Sequence, residues 1–565
     1  MFRFLTVLAA AAVLGLLAAC GGEDAARSES VQMLSCAQLS DLKIAAADIG
    51  LQTGGASVSA AESLSADAAP GSAAAGYCLV TGKILPVDPL APDIEFKVAL
   101  PTNWNSKGLM LGGGGYNGTI PNVAGTMLNS LGASPLARGY AVFASDGGHQ
   151  ASTLPNPAAF GLNEEAYRNW MGDALKKTRD VAQVLIKASY GREPSKSYFL
   201  GSSNGGREAL TVAARWPEDW DGVVALYPGR RFTSTVVAGA AVLHAFAEPG
   251  ALPNRAKRGL LRRAALEACD ALDGLADGLI GNVNACNARF DPATASLHGV
   301  PLRCAGGDDL GDSCLSDLQL SALGVMNGPF HWNFALASGE TSFPGWPVYT
   351  SDLGIESPIP ALEPLQLAIA TLSIGLLPPR FPVTEGMSFA AGIVDGHLRY
   401  VVGRDPDFNY FDFNPYTGWP YATRLSELSA VDAADTELAK FAAKGGKLLM
   451  MHGTEDMTVS PRTSELYYQG LQASLGGPTV ESFVRYYLVP GFAHSISSTF
   501  NAQWDQLSAL EAWVERDIDP RSNQIVIDSV GVPGRSRPLC PYPTFAMYKG
   551  SGDVNTAASF VCASS

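Results

Sequence analysis

Charge is scarce in this chain. Only 16% of its 565 residues are Asp, Glu, Lys or Arg, and 54 acidic residues against 39 basic ones leave a formal net charge of −15. No run of lysine and arginine offsets that balance locally, so the chain lacks the electrostatic footprint for phosphate backbones, and nucleic acid is not an expected partner. Long apolar runs are nearly absent too. The one at the N-terminus, Leu5 to Ala19, follows Arg3 and is too short to span a bilayer with ease, so it reads as an export signal rather than a transmembrane helix. No C-x-x-C pair or cysteine–histidine cluster is present, which argues against a zinc site. No G-K-[ST] follows a glycine run and no dinucleotide fingerprint occurs, so phosphate-cradling loops are disfavoured. No internal repeat of fixed period is found.

What is present is a glycine-rich, 47% hydrophobic composition, that of a globular protein able to bury a sizeable core. The apolar leader ends in Leu17-Ala18-Ala19-Cys20-Gly21, which resembles a bacterial lipobox; the alternative is an ordinary cleaved signal with a coincidental cysteine. The lipobox reading makes 1–19 a signal peptide, Cys20 a lipidated N-terminus and 20–35 a flexible tether, with a periplasmic or outer-membrane location and membrane contact only through that anchor. Removing Cys20 leaves eight cysteines, an even set that suggests disulfides in an oxidising compartment. Closeness in sequence favours Cys269 with Cys286, Cys304 with Cys314 and Cys540 with Cys562, leaving Cys36 for Cys78.

Beyond an alanine-rich N-terminal region, short β-type runs alternate with helical patterns, as in a mostly parallel sheet covered by helices. The expected strands are Ile94 to Leu100, Gly108 to Leu111, Tyr140 to Ala144, Ser197 to Leu200, Val223 to Tyr227, Lys447 to Met451 and Arg485 to Val489. Trp504, Leu507, Leu510 and Trp513 recur every third residue and predict the buried face of a late helix. Between Tyr227 and Lys447 the alternation is lost. The chain therefore divides into a first core part at 36–228, an inserted lid at 229–445 and a second core part at 446–565. Of the insert's aromatics Phe330, Trp332, Trp346, Tyr349 and Phe389, most are expected in its core and a subset along a pocket.

Gly201-Ser202-Ser203-Asn204-Gly205 is the single G-x-S-x-G of the chain, placed between an expected strand and an expected helix. That is the setting of a nucleophile elbow, whose flanking glycines allow a close helix–strand approach. A serine hydroxyl needs a base within reach and an acid to orient that base, in the chain order Ser, acid, His. Downstream, the strand ending at Met451 opens onto His452-Gly453-Thr454-Glu455-Asp456, and the next strand opens onto Pro490-Gly491-Phe492-Ala493-His494. Asp456 is therefore expected as the acid and His494 as the base. Glu455 competes for the acid role and is expected to face solvent; His452 precedes the acid and is expected to pack beside it. An oxyanion needs two amide donors: Asn204 offers one, and Gly112 to Gly115 can offer the other through Gly115 or Gly114. Asp270, Asp273 and Asp277 are clustered in the insert with two Asp-Gly pairs, a pattern that suits Ca²⁺ or a solvated double turn equally.

Taken in order, Gly112 to Gly118, the elbow at Ser203, Cys269-Asp270-x-x-Asp273-Gly-x-x-Asp277-Gly278, His452-Gly453 through Asp456 and Pro490-Gly491 through His494 resemble the tannase and feruloyl esterase family of α/β-hydrolases, which includes the mono(2-hydroxyethyl) terephthalate hydrolase group. The resemblance runs from about Cys36 to Cys562. It implies an α/β-hydrolase core with a large inserted lid, serine esterase activity on small esters of aromatic or phenolic acids, and a structural Ca²⁺ in the lid. Its ligands would be Asp270, Asp273 and Asp277 by side chain and Leu275 and Leu279 by carbonyl. A different class of function, a surface lipoprotein binding aromatic or glycan ligands without turnover, is opposed by the intact Ser203, Asp456 and His494. One departure stands out. Family members commonly carry a disulfide joining the residue before the nucleophile to the residue after the histidine; here those positions are Ser202 and Ser495, so packing and hydrogen bonds, a bond between the two hydroxyls being one candidate, are expected to hold the loops in its place.

Overall fold

The computed structural model describes residues 33–65, 76–433, 437–521 and 523–564. The leader at 1–19, Cys20 and most of the expected tether lie outside them.

Ten strands form one sheet: β1 (Lys43–Ile44), β2 (Ala56–Leu64), β3 (Tyr77–Ile84), β4 (Ile94–Pro101), β5 (Lys107–Leu111), β6 (Ala141–Ser145), β7 (Lys196–Ser202), β8 (Gly222–Leu226), β9 (Lys447–Gly453) and β10 (Val484–Val489). Their spatial order is β1-β2-β3-β4-β6-β5-β7-β8-β9-β10. The strands from β1 to β4, and β4 with β6, pair antiparallel. From β6 through β10 all pairing is parallel. A parallel sheet is buried on both faces, and these strands read accordingly. Leu109, Val142, Tyr198, Val224, Leu449 and Tyr487 face one apolar layer. Their neighbours Met110, Phe143, Phe199, Val223, Met450 and Tyr486 face the other.

Helices α1 (Ala174–Tyr190), α2 (Asn204–Arg215) and α3 (Pro461–Leu475) cover the second face through Leu185, Leu210 and Leu471, among others. Helix α4 (Gln506–Arg516) covers the first through Leu507, Leu510 and Trp513. Trp504 is buried with them but precedes the helix, its indole N–H donating to Gln524 at 3.0 Å. The N-terminal region holds more order than its composition suggests, since β2 and β3 form a long hairpin there. Alanine and serine are weak strand formers. What makes a strand of 56–64 is the backbone pairing passed outward from β4 through β3, a non-local cause that a local reading misses.

Between β8 and β9, the described residues of 229–445 form helices and two short hairpins around an apolar cluster that includes Val237, Leu261, Leu323, Trp332 and Leu425 and continues into Tyr116, Phe160, Trp170 and Met171 of the first core part. They touch the loops at the ends of the parallel strands. Tyr116 donates to the Ile393 carbonyl at 3.0 Å, and Thr458 to that of Leu372 at 2.8 Å. The three disulfides expected from sequence closeness, Cys269–Cys286, Cys304–Cys314 and Cys540–Cys562, are present, and so is the remaining pair Cys36–Cys78.

Candidate active site

Ser203 sits between the end of β7 and the start of α2, with φ 58° and ψ −121°. A non-glycine residue there is strained, and the surrounding glycines show what holds it. A Cβ on Gly201 would lie 2.0 Å from the Gly205 carbonyl oxygen, and one on Gly205 2.6 Å from that of Gly113. Strand, helix and glycine loop therefore meet backbone to backbone, which lifts the Ser203 hydroxyl out of the turn.

The loop after β10 brings His494 to that hydroxyl, its Nε2 lying 2.9 Å from Ser203 Oγ. The other ring nitrogen, Nδ1, is 2.7 Å from Asp456 Oδ2. Asp456 is fully buried on the loop after β9, and its second oxygen accepts the amides of Thr458 and Val459 at 2.9 and 2.8 Å. Burial pushes its carboxyl up, but His494 and His452 outweigh that and hold it well below the usual carboxylate range. His452 packs beside the acid as expected: its Nε2 lies 3.2 Å from Asp456 Oδ2 and 3.0 Å from the Val459 carbonyl. Both are acceptors, so Nε2 carries the proton.

Glu455 does not face solvent. It is buried, forms an ion pair with Arg262 at 2.7 Å and accepts the Asp352 amide. The reason is the insert, which brings a guanidinium over a side chain that would otherwise need water. The hydroxyls of Ser202 and Ser495 do not bond to each other among the described residues; the Ser495 carbonyl instead accepts from Asn129.

Gly115, Ser203 and Asn204 line one pocket together with Phe232, Val236, Trp346, Phe389 and Ile393. Asn204 is the first residue of α2, where an amide has no helical acceptor, so it can face an oxyanion. Gly115 reaches the pocket in a left-handed conformation, φ 53°. Gly114 is not among the lining residues, and its carbonyl closes the turn by accepting the Asn117 amide at 2.7 Å. Of the insert's aromatics, Trp346 and Phe389 line the pocket, while Phe330 and Trp332 lie in the apolar cluster that the insert shares with the first core part.

Residues 78–563 match the family described as tannase and feruloyl esterase. The chain belongs to that family. It is 36% identical over 539 residues to an uncharacterised esterase of Agrobacterium fabrum, covering 94% of this chain and 93% of that one. It is 33% identical over 545 residues to the mono(2-hydroxyethyl) terephthalate hydrolase of Piscinibacter sakaiensis, covering 88% and 87%. Among solved structures it resembles feruloyl esterase B from Aspergillus oryzae, with a TM-score of 0.71 at 20% identity over 92% of this chain and 98% of the other. It also resembles the tannin acyl hydrolase of Aspergillus niger, with a TM-score of 0.61 at 17% identity over 90% of both. The fold is that of an α/β-hydrolase, and this family member is a carboxylic ester hydrolase.

Sequence reasoning missed one buried group of this esterase. The Glu208 carboxylate accepts the Gly113 amide at 2.9 Å, Asn117 Nδ2 at 2.7 Å and Asn204 Nδ2 at 3.2 Å. It thereby pins the glycine loop and the residue after the nucleophile to a single charge. Burial pushes its carboxyl up, against the Arg207 charge and these three donors. The available signal was spacing, since Asn204 and Glu208 are four apart on one helix face.

The aspartate loop of the insert is folded on itself. Asp270 accepts the Gly278 amide at 2.9 Å, Asp273 that of Leu275 at 3.1 Å and Asp277 that of Leu279 at 3.1 Å. Asp277 also pairs with Arg537, whereas Asp270 and Asp273 have no ion pair among the described residues. Burial pushes the Asp273 carboxyl up to about 7. No three metal-ligating side chains are gathered closely enough to hold an ion among the described residues. The donors are nonetheless all oxygen, and two carboxylates lack a cation, so the residue types fit Ca²⁺.

Replacing Glu208 by Gln keeps the shape but turns an N–H₂ group toward one of its donors. The expected result is a kcat lower by roughly ten-fold to a hundred-fold with KM little changed, because the oxyanion donors act mainly in the transition state. Steady-state kinetics on a p-nitrophenyl ester measures it, and an unchanged kcat would remove Glu208 from this role.

Proposed function

We propose that the chain hydrolyses esters of apolar, aromatic carboxylic acids through an acyl-enzyme on Ser203, with His494 as general base and Asp456 as the orienting acid. The observation that carries this reading is the hydrogen-bonded line Ser203 Oγ, His494, Asp456, opening on a largely apolar pocket. His494 Nε2 takes the Ser203 proton as Oγ attacks the acyl carbon. Asp456 accepts Nδ1–H, which fixes the tautomer and offsets the charge the ring gains. Negative charge on the former carbonyl oxygen is met by the amides of Gly115 and Asn204. His494 then gives its proton to the departing alcohol, and water, activated by the same ring, releases the acid.

The pocket supports the aromatic class. Phe232, Val236, Trp346, Phe389, Ile393 and Val394 offer flat and branched apolar surface, and no lysine or arginine among the described residues lines it, which favours an uncharged acyl group. Relatives named for feruloyl esters and for a terephthalate mono-ester share the aromatic acyl group. Ser203→Ala should lower kcat by roughly 10⁴-fold or more and abolish labelling of that position by a fluorophosphonate. Full turnover of a methyl hydroxycinnamate by the variant, or a wild-type Ser203 left unlabelled, would sink the assignment; a chain that only bound such esters would give the second result.

The same reading extends to Ca²⁺ in the insert, held by the side chains of Asp270, Asp273 and Asp277 and the carbonyls of Leu275 and Leu279. Its role is structural. The bound ion would neutralise Asp270 and Asp273, which are otherwise without an ion pair among the described residues, and a ligand held only by the folded state raises stability by mass action. Exhaustive EDTA treatment should lower the melting temperature, and added Ca²⁺ should restore it. An unchanged melting curve with no calcium by elemental analysis would count against the site.

Export followed by lipidation at Cys20 completes the reading, supported by four disulfides that need an oxidising compartment. Cys20→Ser should move the protein from the membrane to the soluble fraction; equal partition of variant and wild type would exclude the anchor.

A further inference from the structure

The histidine loop is held to the segment that follows β8 by Tyr227 and Asn129, neither of them part of the triad. Tyr227 follows β8 directly, is fully buried, and adopts φ 34°. Its amide donates to the Met451 carbonyl at 2.6 Å, at the end of the strand that leads to Asp456. Its ring meets the His494 imidazole edge to face, with centroids 4.8 Å apart and planes at 65°. Its hydroxyl donates to Asn129 Oδ1 at 2.8 Å. Asn129, also buried, uses both of its amide hydrogens: Nδ2 donates to the Ser495 carbonyl at 3.0 Å and to the Ala502 carbonyl at 3.1 Å.

The directions in this chain are fixed by elimination. Backbone carbonyls only accept, so Asn129 must turn its nitrogen to Ser495 and Ala502 and its oxygen to Tyr227. The phenol must then donate. The turn that carries the nucleophile is joined to the same segment through its backbone, the Ser203 amide donating to the Leu226 carbonyl at 3.0 Å and the Gly229 amide to the Ser203 carbonyl at 2.9 Å. Burial holds the phenol well above its ordinary pKa, so it stays a donor at every working pH.

A second observation is independent of these bonds. Asn129, Ser203, Tyr227 and Ser495 are all non-glycine residues with positive φ, at 51°, 58°, 34° and 62°. Such strain persists only where surrounding contacts over-determine the backbone, and here it marks one residue on each of the four segments that meet around His494.

We propose that Tyr227 and Asn129 are positioning residues for His494, and that the chain Tyr227–Asn129–Ser495, anchored to the nucleophile turn by the backbone bonds of Ser203 with Leu226 and Gly229, is the noncovalent tie between the nucleophile and histidine loops. The proposal rests on reading His494 as the general base. Without the tie the imidazole can shift, and a misplacement of about 1 Å is enough to cost roughly a hundred-fold in rate.

The test compares Tyr227→Phe and Asn129→Ala with the wild type, each also combined with Ser202→Cys and Ser495→Cys and oxidised; the single Ser202→Cys in each background is the control. Steady-state kinetics on a p-nitrophenyl ester should show kcat lowered by roughly ten-fold to a hundred-fold with KM within about two-fold of the wild type. In the crosslinked variants most of that loss should return, which lost packing alone would not do. Unchanged kcat in both variants, a crosslink that forms without restoring kcat, or two cysteines that do not join overturns the proposal. Ser203→Ala is assayed alongside. If it stays active, the triad reading itself has failed; if it is silent while Tyr227→Phe runs at full rate, only the tie has failed.

Discussion

The negative charge of Asp456, carried in a place with no water, is the constraint around which the rest of the structure is arranged. A buried carboxylate is costly unless nearly all its lone pairs are used. Here two imidazole nitrogens and two backbone amides use them. The same bonds that make the charge tolerable also set the chemistry. Oδ2 points at His494 because Oδ1 is taken by Thr458 and Val459, and His452 closes the remaining side. Orientation of the base and solvation of the acid are one set of interactions.

A division of labour follows between sheet and insert. The sheet ends supply the hydrogen-bonded line of the site: Ser203 from β7, Asp456 from the loop after β9 and His494 from the loop after β10. The insert supplies apolar surface, through Phe232, Trp346 and Phe389, and the arginine that neutralises Glu455. A hydroxyl nucleophile gains from such surroundings, since water excluded from the pocket strengthens each electrostatic contact inside it. Glu208 repeats the logic of Asp456 on the other side of the nucleophile: one buried charge gathers donors from two loops and thereby fixes their spacing.

The residues that bond the loops together share a property that explains why they escape notice in the chain. Tyr227 closes an apolar strand and reads as core; Asn129 lies in an irregular loop and reads as a turn. Their partners are far off, Asn129 being 366 positions from Ser495 and 98 from Tyr227. No local pattern marks either of them.

Local patterns were enough for a good deal. The elbow is legible because only glycines permit the backbone approach at 201 and 205. The core strands are legible because a sheet buried on both faces demands short apolar runs, and the disulfide pairing because cysteines near in sequence meet cheaply. Asp456 and His494 could be named because hydrolase chemistry requires an acid and a histidine at strand ends in that order. Tertiary structure alone decided which donors brace the oxyanion loop, that Glu455 is buried against Arg262, that 56–64 is a strand, and that a phenol and an amide tie the two catalytic loops. Each of those depends on a partner supplied from a distant part of the chain, and a polar side chain's environment is set by what folds over it, not by its neighbours in sequence.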